Sequence, residues 1–222
     1  MSLANYTFAD IIYKLVIPAF AATVRMVLIA GILATFFGFL IGIALVVTEK
    51  DGLYENRVVN RILDVIVNII RSFPFIILMV SIIPLTRMIV GTSIGEAAAI
   101  VPLTIAVSPF IGRIIQNALK EVDPALIEAA KSFGASKPQI IVRIMLKESV
   151  PAIVSGLILA IIQLLGATAM AGAIGAGGLG AVALTYGYQN FNQTVMYTIC
   201  IVLVIMVAFI QYFGEWIYRR LK

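Results

Sequence analysis

Residues 26–48 read MVLIAGILATFFGFLIGIALVVT, 23 consecutive residues without a formal charge, fenced by Arg25 and Glu49. A helix rises 1.5 Å per residue, so about 20 apolar residues cross the roughly 30 Å of a bilayer's hydrocarbon core. This stretch is long enough to span it alone. The rest of the chain has the same character. Of 222 residues, 62% are hydrophobic and 12% charged. Globular domains hold about 45–50% apolar and about 25% charged residues. The mean hydropathy is +1.08. This composition excludes an enzyme with a water-facing surface, and most nucleic-acid binders.

Working outward, charged residues mark the other spans. Residues 65–86 between Asp64 and Arg87 form a second run, interrupted only by Arg71. The 16 residues between Glu96 and Arg113 form a third, and Pro102 and Pro109 within it predict a bent or broken helix. The 66 residues between Glu148 and Glu215 carry no charge and are too many for one span. Their middle, Gly172–Asn192, is rich in glycine and then in Gln and Asn, which breaks helices. The reading is an all-α membrane protein, a single domain over 1–222, with five spans at about 24–48, 62–86, 96–118, 150–171 and 193–218.

Lysine and arginine orient the spans. Segment Arg113–Glu148 holds six, loop Glu49–Arg61 holds Lys50, Arg57 and Arg61, and the tail holds Arg219, Arg220 and Lys222. With five spans these share one side, against Lys14, Arg25 and Arg87 on the other. Basic loops stay in the cytoplasm. The expectation is a multi-pass protein of the bacterial cytoplasmic membrane, N-terminus outside and C-terminus inside. Met1–Asp10 has no Lys or Arg and does not read as a cleaved signal.

The loop 119–148 is patterned. Asp123 suits an N-cap and Pro124 the first helical position, predicting a short helix over Pro124–Phe133 that Gly134 stops. Ser136-Lys-Pro-Gln139 fits a capping box, opening a second helix to about Lys147. Leu126, Ala130 and Phe133 fall on one face of the first helix and call for an apolar partner. That partner is lipid, the chain's own helix ends or another protein.

Glu128-Ala129-Ala130, three residues, Gly134, nine residues, Ile144, one residue and Leu146 resemble the EAA signature of bacterial ABC-importer permeases. Lys147 stands where that pattern carries proline. Further stretches are similar to the methionine-uptake permease subfamily: Arg71-Ser-Phe-Pro-Phe-Ile-Ile-Leu, the segments from Ile83 and from Ala98, and Gly172-Ala-Ile-Gly-Ala-Gly-Gly-Leu-Gly. The likeness runs from about Pro18 to the C-terminus.

The resemblance implies a type I ABC-importer permease fold and import of L- and D-methionine by alternating access. It implies a homodimer, two copies of a separate ATP-binding cassette ATPase carrying ATP and Mg, and an extracytoplasmic methionine-binding protein. Glu128, Ala129, Ala130 and Gly134 would then form a coupling helix docked on the ATPase. Met170 would lie on the pore axis as a gate.

Other membrane residues are candidates on physical grounds. Asp64 and Arg71 lie seven apart, on one helix face, and ionisable groups within spans are functional candidates. Arg71 either snorkels to the surface or steadies a broken Ser72–Phe75 region beside a pathway. Arg71, Ser72, Phe73, Pro74, Ser108 and Pro109 are therefore candidate pathway residues, because irregular backbone at depth is tolerated where it lines protein or water. Gly38-x-x-x-Gly42 permits close helix packing, within the chain or between copies.

The chain has no His, one cysteine (Cys200) and no P-loop. No catalytic residue, metal site or cofactor of its own is expected, and no nucleic-acid partner. The rival readings are a permease for another amino acid or small organic solute, and an ion-gradient-driven carrier. The carrier would need intramembrane carboxylates, which the 66-residue stretch lacks.

Overall fold

A computed structural model describes residues 7–221. The helices are α1 Phe8–Thr48, α2 Arg57–Ser72, α3 Phe75–Ser81, α4 Ile83–Val90, α5 Glu96–Lys120, α6 Pro124–Ser132, α7 Lys137–Gly172, α8 Gly178–Val182 and α9 Gln193–Leu221. A π-helical stretch, Ala183–Gln189, continues α8. There is no strand among the described residues. By length and apolarity α1, α5, α7 and α9 can each cross a membrane. The pair α2 and α3, bent by 107° at Phe73-Pro74, brings the number to five if it is one span.

The helices depart from the sequence reading in three places. α1 begins at Phe8, well before residue 24. A capping box of Thr7 and Asp10 opens it, and Asp10 pairs with Lys14 one turn on at 2.5 Å. Charges so paired do not stop a helix. The loop's second helix does not end near Lys147 but runs unbroken as α7 to Gly172, with Pro151 inside it. A charge ends a span, because ions avoid hydrocarbon, but it does not end a helix. Pro102 and Pro109 do not break α5, which is continuous over Glu96–Lys120. Each proline removes one backbone donor. Against that loss stands dense packing, with Leu103, Val107, Ile111 and Ile115 all buried.

Contacts cluster into two units, 1–33 with 73–106 and 161–210, and 34–72 with 107–160 and 211–222. The first unit has a core of Met26, Ala30, Leu103, Leu164, Leu179, Val195 and Ile199. Its glycine-rich segment is held tightly. The Leu179 N–H donates to Thr23 Oγ1 at 2.9 Å, and the Gly95 N–H donates to the Gly175 carbonyl at 2.9 Å. Arg25 and Glu96 form a bidentate pair, at 2.9 Å from Nε and 2.8 Å from Nη2.

The second unit buries Leu45, Val67, Ile111, Ile115, Leu119, Ile140 and Met145. Gly38 and Gly42 pack within the chain. A Cβ on Gly38 would lie 2.7 Å from Ile111 Cβ, and one on Gly42 2.7 Å from Ile115 Cβ. Many large apolar side chains elsewhere face outward, and only 11% of the most apolar window of α9 is buried. For a helix solvated by lipid this is the ordinary arrangement.

Candidate functional site

The loop helix α6 is built by its two ends. The Asp123 carboxylate accepts from the Ala125 N–H at 2.8 Å, and Pro124 follows where no N–H is required. At the other end Gly134 takes φ +76°. The Gly134 N–H donates to the Lys131 carbonyl and the Ala135 N–H to the Ala130 carbonyl, both at 3.0 Å. This is a Schellman stop. Beyond its chain neighbours no atom of the described residues lies within 4 Å of where a Gly134 Cβ would stand, so its backbone conformation, not space, asks for glycine. Ser136 and Gln139 then close a capping box that opens α7, with the Ser136 N–H donating to Gln139 Oε1 at 2.8 Å.

Only part of the expected face of α6 is buried. Ala130 turns inward, whereas Leu126 is 44% exposed and Phe133 91% exposed. Glu128 and Ala129 are exposed beside them. The helix therefore offers an outward surface of Leu126, Ala129 and Phe133 flanked by the Glu128 carboxylate. Phe133 therefore adds little to the packing of this helix on its own chain.

Ion pairs brace the ground under α6. Lys120 at the end of α5 meets Glu49 at 2.6 Å, and Lys137 Nζ sits 4.6 Å from the centre of the Tyr54 ring. In the same loop Glu55 lies below the usual carboxylate range, held there first by the Arg57 guanidinium and then by the Asp51 N–H. The pairing of Lys120 with Glu49 joins residues 71 positions apart, which hides it from any local pattern.

The candidate pathway residues fall in several places. Arg71, Ser72, Phe73 and Pro74 are all exposed and form the break between α2 and α3. The Ser72 hydroxyl donates to the Asn68 carbonyl at 2.8 Å. Asp64 does not turn to Arg71. It pairs with Arg113 of α5 and accepts from Asn68 Nδ2 at 3.0 Å. Arg113 also donates to Gln116 Oε1 at 2.7 Å and Asn68 Oδ1 at 2.9 Å. Arg71 makes no ion pair among the described residues, so the shared face it has with Asp64 is not used. Ser108 and Pro109 are buried in the middle of α5.

Met170 is 44% exposed, two residues from a backbone crossing. A Cβ on Gly172 would stand 2.3 Å from the Ala181 nitrogen, and one on Gly180 2.2 Å from the Ala169 carbonyl oxygen. The glycine run is a close-packing device that fixes the main chain around Met170 while its thioether stays outside. Among the described residues no group of three or more His, Cys, Asp or Glu could hold a metal ion.

Apolar spans, a polar loop with a capped and exposed helix, and the likeness to solved transporter structures together give the class, a membrane permease of the type I ABC-importer kind. Residues 34–222 match the binding-protein-dependent transport system inner membrane component family, and the chain belongs to it. It is 45% identical over 206 residues to a probable D-methionine transport system permease of Vibrio cholerae, covering 93% of this chain and 92% of that one. It is 43% identical over 171 residues to the methionine import system permease MetP of Bacillus subtilis, covering 77% of each. A solved inward-facing structure of the MetNI methionine ABC transporter superposes with a TM-score of 0.94 at 42% identity, over 98% of this chain and 100% of that one.

Proposed function

We propose that this chain is the permease subunit of an ATP-driven importer of L- and D-methionine. It works as a homodimer with two copies of a separate ATPase that carries ATP and Mg. An extracytoplasmic binding protein delivers the amino acid. The observation that carries this reading is α6, whose helix-stopping Gly134 and exposed Leu126, Ala129 and Phe133 present a rigid apolar surface flanked by Glu128. ATPase closure pulls on α6, with Ala130 anchoring the helix to its own unit. The spans then rock between inward and outward states, as in other alternating-access devices. Met170 closes the path at the dimer axis, where an uncharged, adaptable thioether seals without trapping an ion. The spans keep the five-fold arrangement read from sequence, with α6 in the cytoplasm, the N-terminus outside and the C-terminus inside. The names of the relatives support the choice of methionine. The break at Arg71–Pro74 and the buried Ser108 and Pro109 border the path.

The test is reconstitution of the permease with its ATPase and binding protein in proteoliposomes, with radiolabelled methionine of each hand. ATP-dependent accumulation that unlabelled methionine competes away is the expected result. Uptake of a different amino acid, with none of methionine, would overturn the substrate. Failure to capture an ATPase subunit from the membrane would overturn the class.

A further inference from the structure

The first unit contains a cavity of about 140 Å³ whose wall includes Met79 of α3, Thr86 of α4, Ser93, Ala98 and Pro102 of α5, and Ile174 beyond the end of α7. An engineered apolar cavity of about 150 Å³ stays dry and binds benzene. This one opens partly outward and has two hydroxyls in its wall, those of Ser93 and Thr86. Thr86 is 3% exposed, and its hydroxyl has no hydrogen-bond partner among the described residues. Other helix hydroxyls of the chain bond back to the preceding turn, Ser81 to the Ile77 carbonyl at 2.8 Å and Thr198 to the Thr194 carbonyl at 2.7 Å. Thr86 does not, and a buried unsatisfied hydroxyl costs about 1–3 kcal/mol. The walls are also telling. α3 follows the break at Phe73-Pro74, α5 carries Pro102, and Ile174 lies four residues beyond Met170. α3, α5 and the segment after α7 meet here.

We propose that this cavity is the subsite that holds the side chain of the transported amino acid during its passage, an inference that rests on the functional reading above. Its size admits an unbranched side chain of four or five heavy atoms and excludes the charged backbone groups. The flexible Met79 thioether adapts the wall to such an occupant. A thioether sulfur is a weak acceptor, and the Thr86 O–H is the donor left to meet it.

The test uses the complete complex with ATPase and binding protein in proteoliposomes, and reads methionine imported per ATP hydrolysed. Ala98→Leu fills the cavity and is expected to lower that ratio at least five-fold. Thr86→Val keeps the shape, removes the unpaired hydroxyl and is expected to lower it two- to three-fold. Thr86→Ser is expected to restore the wild-type ratio. A purely structural role predicts the opposite for Thr86→Val, an unchanged ratio with equal or higher thermal stability. If Ala98→Leu does not assemble, the Thr86→Val and Thr86→Ser pair decides. Wild-type ratios in every variant that assembles overturn the subsite while methionine import stands. No methionine import by the wild type overturns both.

Discussion

Gly180 and Ala169 meet backbone to backbone, so closely that a Cβ on Gly180 would stand 2.2 Å from the Ala169 carbonyl oxygen. Neither side can yield, because both atoms belong to main chain in helices. Gly180→Ala is expected to cost about 3 kcal/mol or more, at the upper end of overpacking penalties. Gly166 is the control, since beyond its own helix backbone no described atom lies within 4 Å of its Cβ position. Gly166→Ala should be neutral or slightly stabilising, by up to about 1 kcal/mol for a helix interior. Thermal unfolding of the purified protein in detergent, followed by the loss of monodisperse protein, checks both.

The stop of α6 depends on Gly134 in a different way. Its φ of +76° is the left-handed region, which costs a residue with a Cβ about 1–2 kcal/mol. Gly134→Ala should therefore loosen the end of α6 without a clash, and Gly134→Asn should be milder because asparagine tolerates that region. Affinity for the ATPase subunit, measured by titration in nanodiscs, is expected to fall in the order wild type, Asn, Ala. Equal affinities would mean that the stop does not shape the docking surface.

Phe133 is 91% exposed, so it contributes little to this chain's own stability. Phe133→Ser is expected to leave the melting temperature within about 1 °C, consistent with a surface change of less than about 0.5 kcal/mol. The same variant should weaken ATPase capture at least ten-fold. Retained capture would remove Phe133 from the docking face.

Asp64, Asn68, Arg113 and Gln116 form one network that ties α2 to α5. Arg113 is only 20% exposed, so removing its carboxylate strands most of a guanidinium. Asp64→Ala should cost about 1–3 kcal/mol, less than the about 3–5 kcal/mol of a fully buried pair because Asn68 and Gln116 still accept from Arg113. The double variant Asp64→Ala with Arg113→Ala should be less destabilised than the sum of the two singles, by about 1 kcal/mol. Strict additivity in thermal unfolding would argue against coupling.

Met170→Ala tests the gate. Removing the thioether should leave stability close to wild type, since Met170 is 44% exposed and its main chain is held by neighbouring glycine contacts. ATP hydrolysis should continue while methionine accumulation falls, as solute leaks back. If hydrolysis and accumulation both match wild type, Met170 does not seal the path.

The amino-acid sequence by itself determined the lipid-embedded helical class, because 23 uncharged residues in a row leave the backbone no other way to satisfy its polar groups in hydrocarbon. It also determined both ends of α6, since capping acts over three or four residues and is written locally in Asp123-Pro124, Gly134 and Ser136–Gln139. The tertiary structure alone decided the rest. That α7 runs on from the loop through Pro151, and that α5 survives Pro102 and Pro109, depends on packing partners distant in the chain. The turn of Phe133 outward and of Ala130 inward depends on what lies beneath α6, which helical periodicity cannot say. Asp64 chose Arg113, 49 positions away, over Arg71 on its own face, and the cavity at Thr86 is walled by residues from 79 to 174. Short-range chemistry is legible in order along the chain; contacts made by folding distant segments together are not.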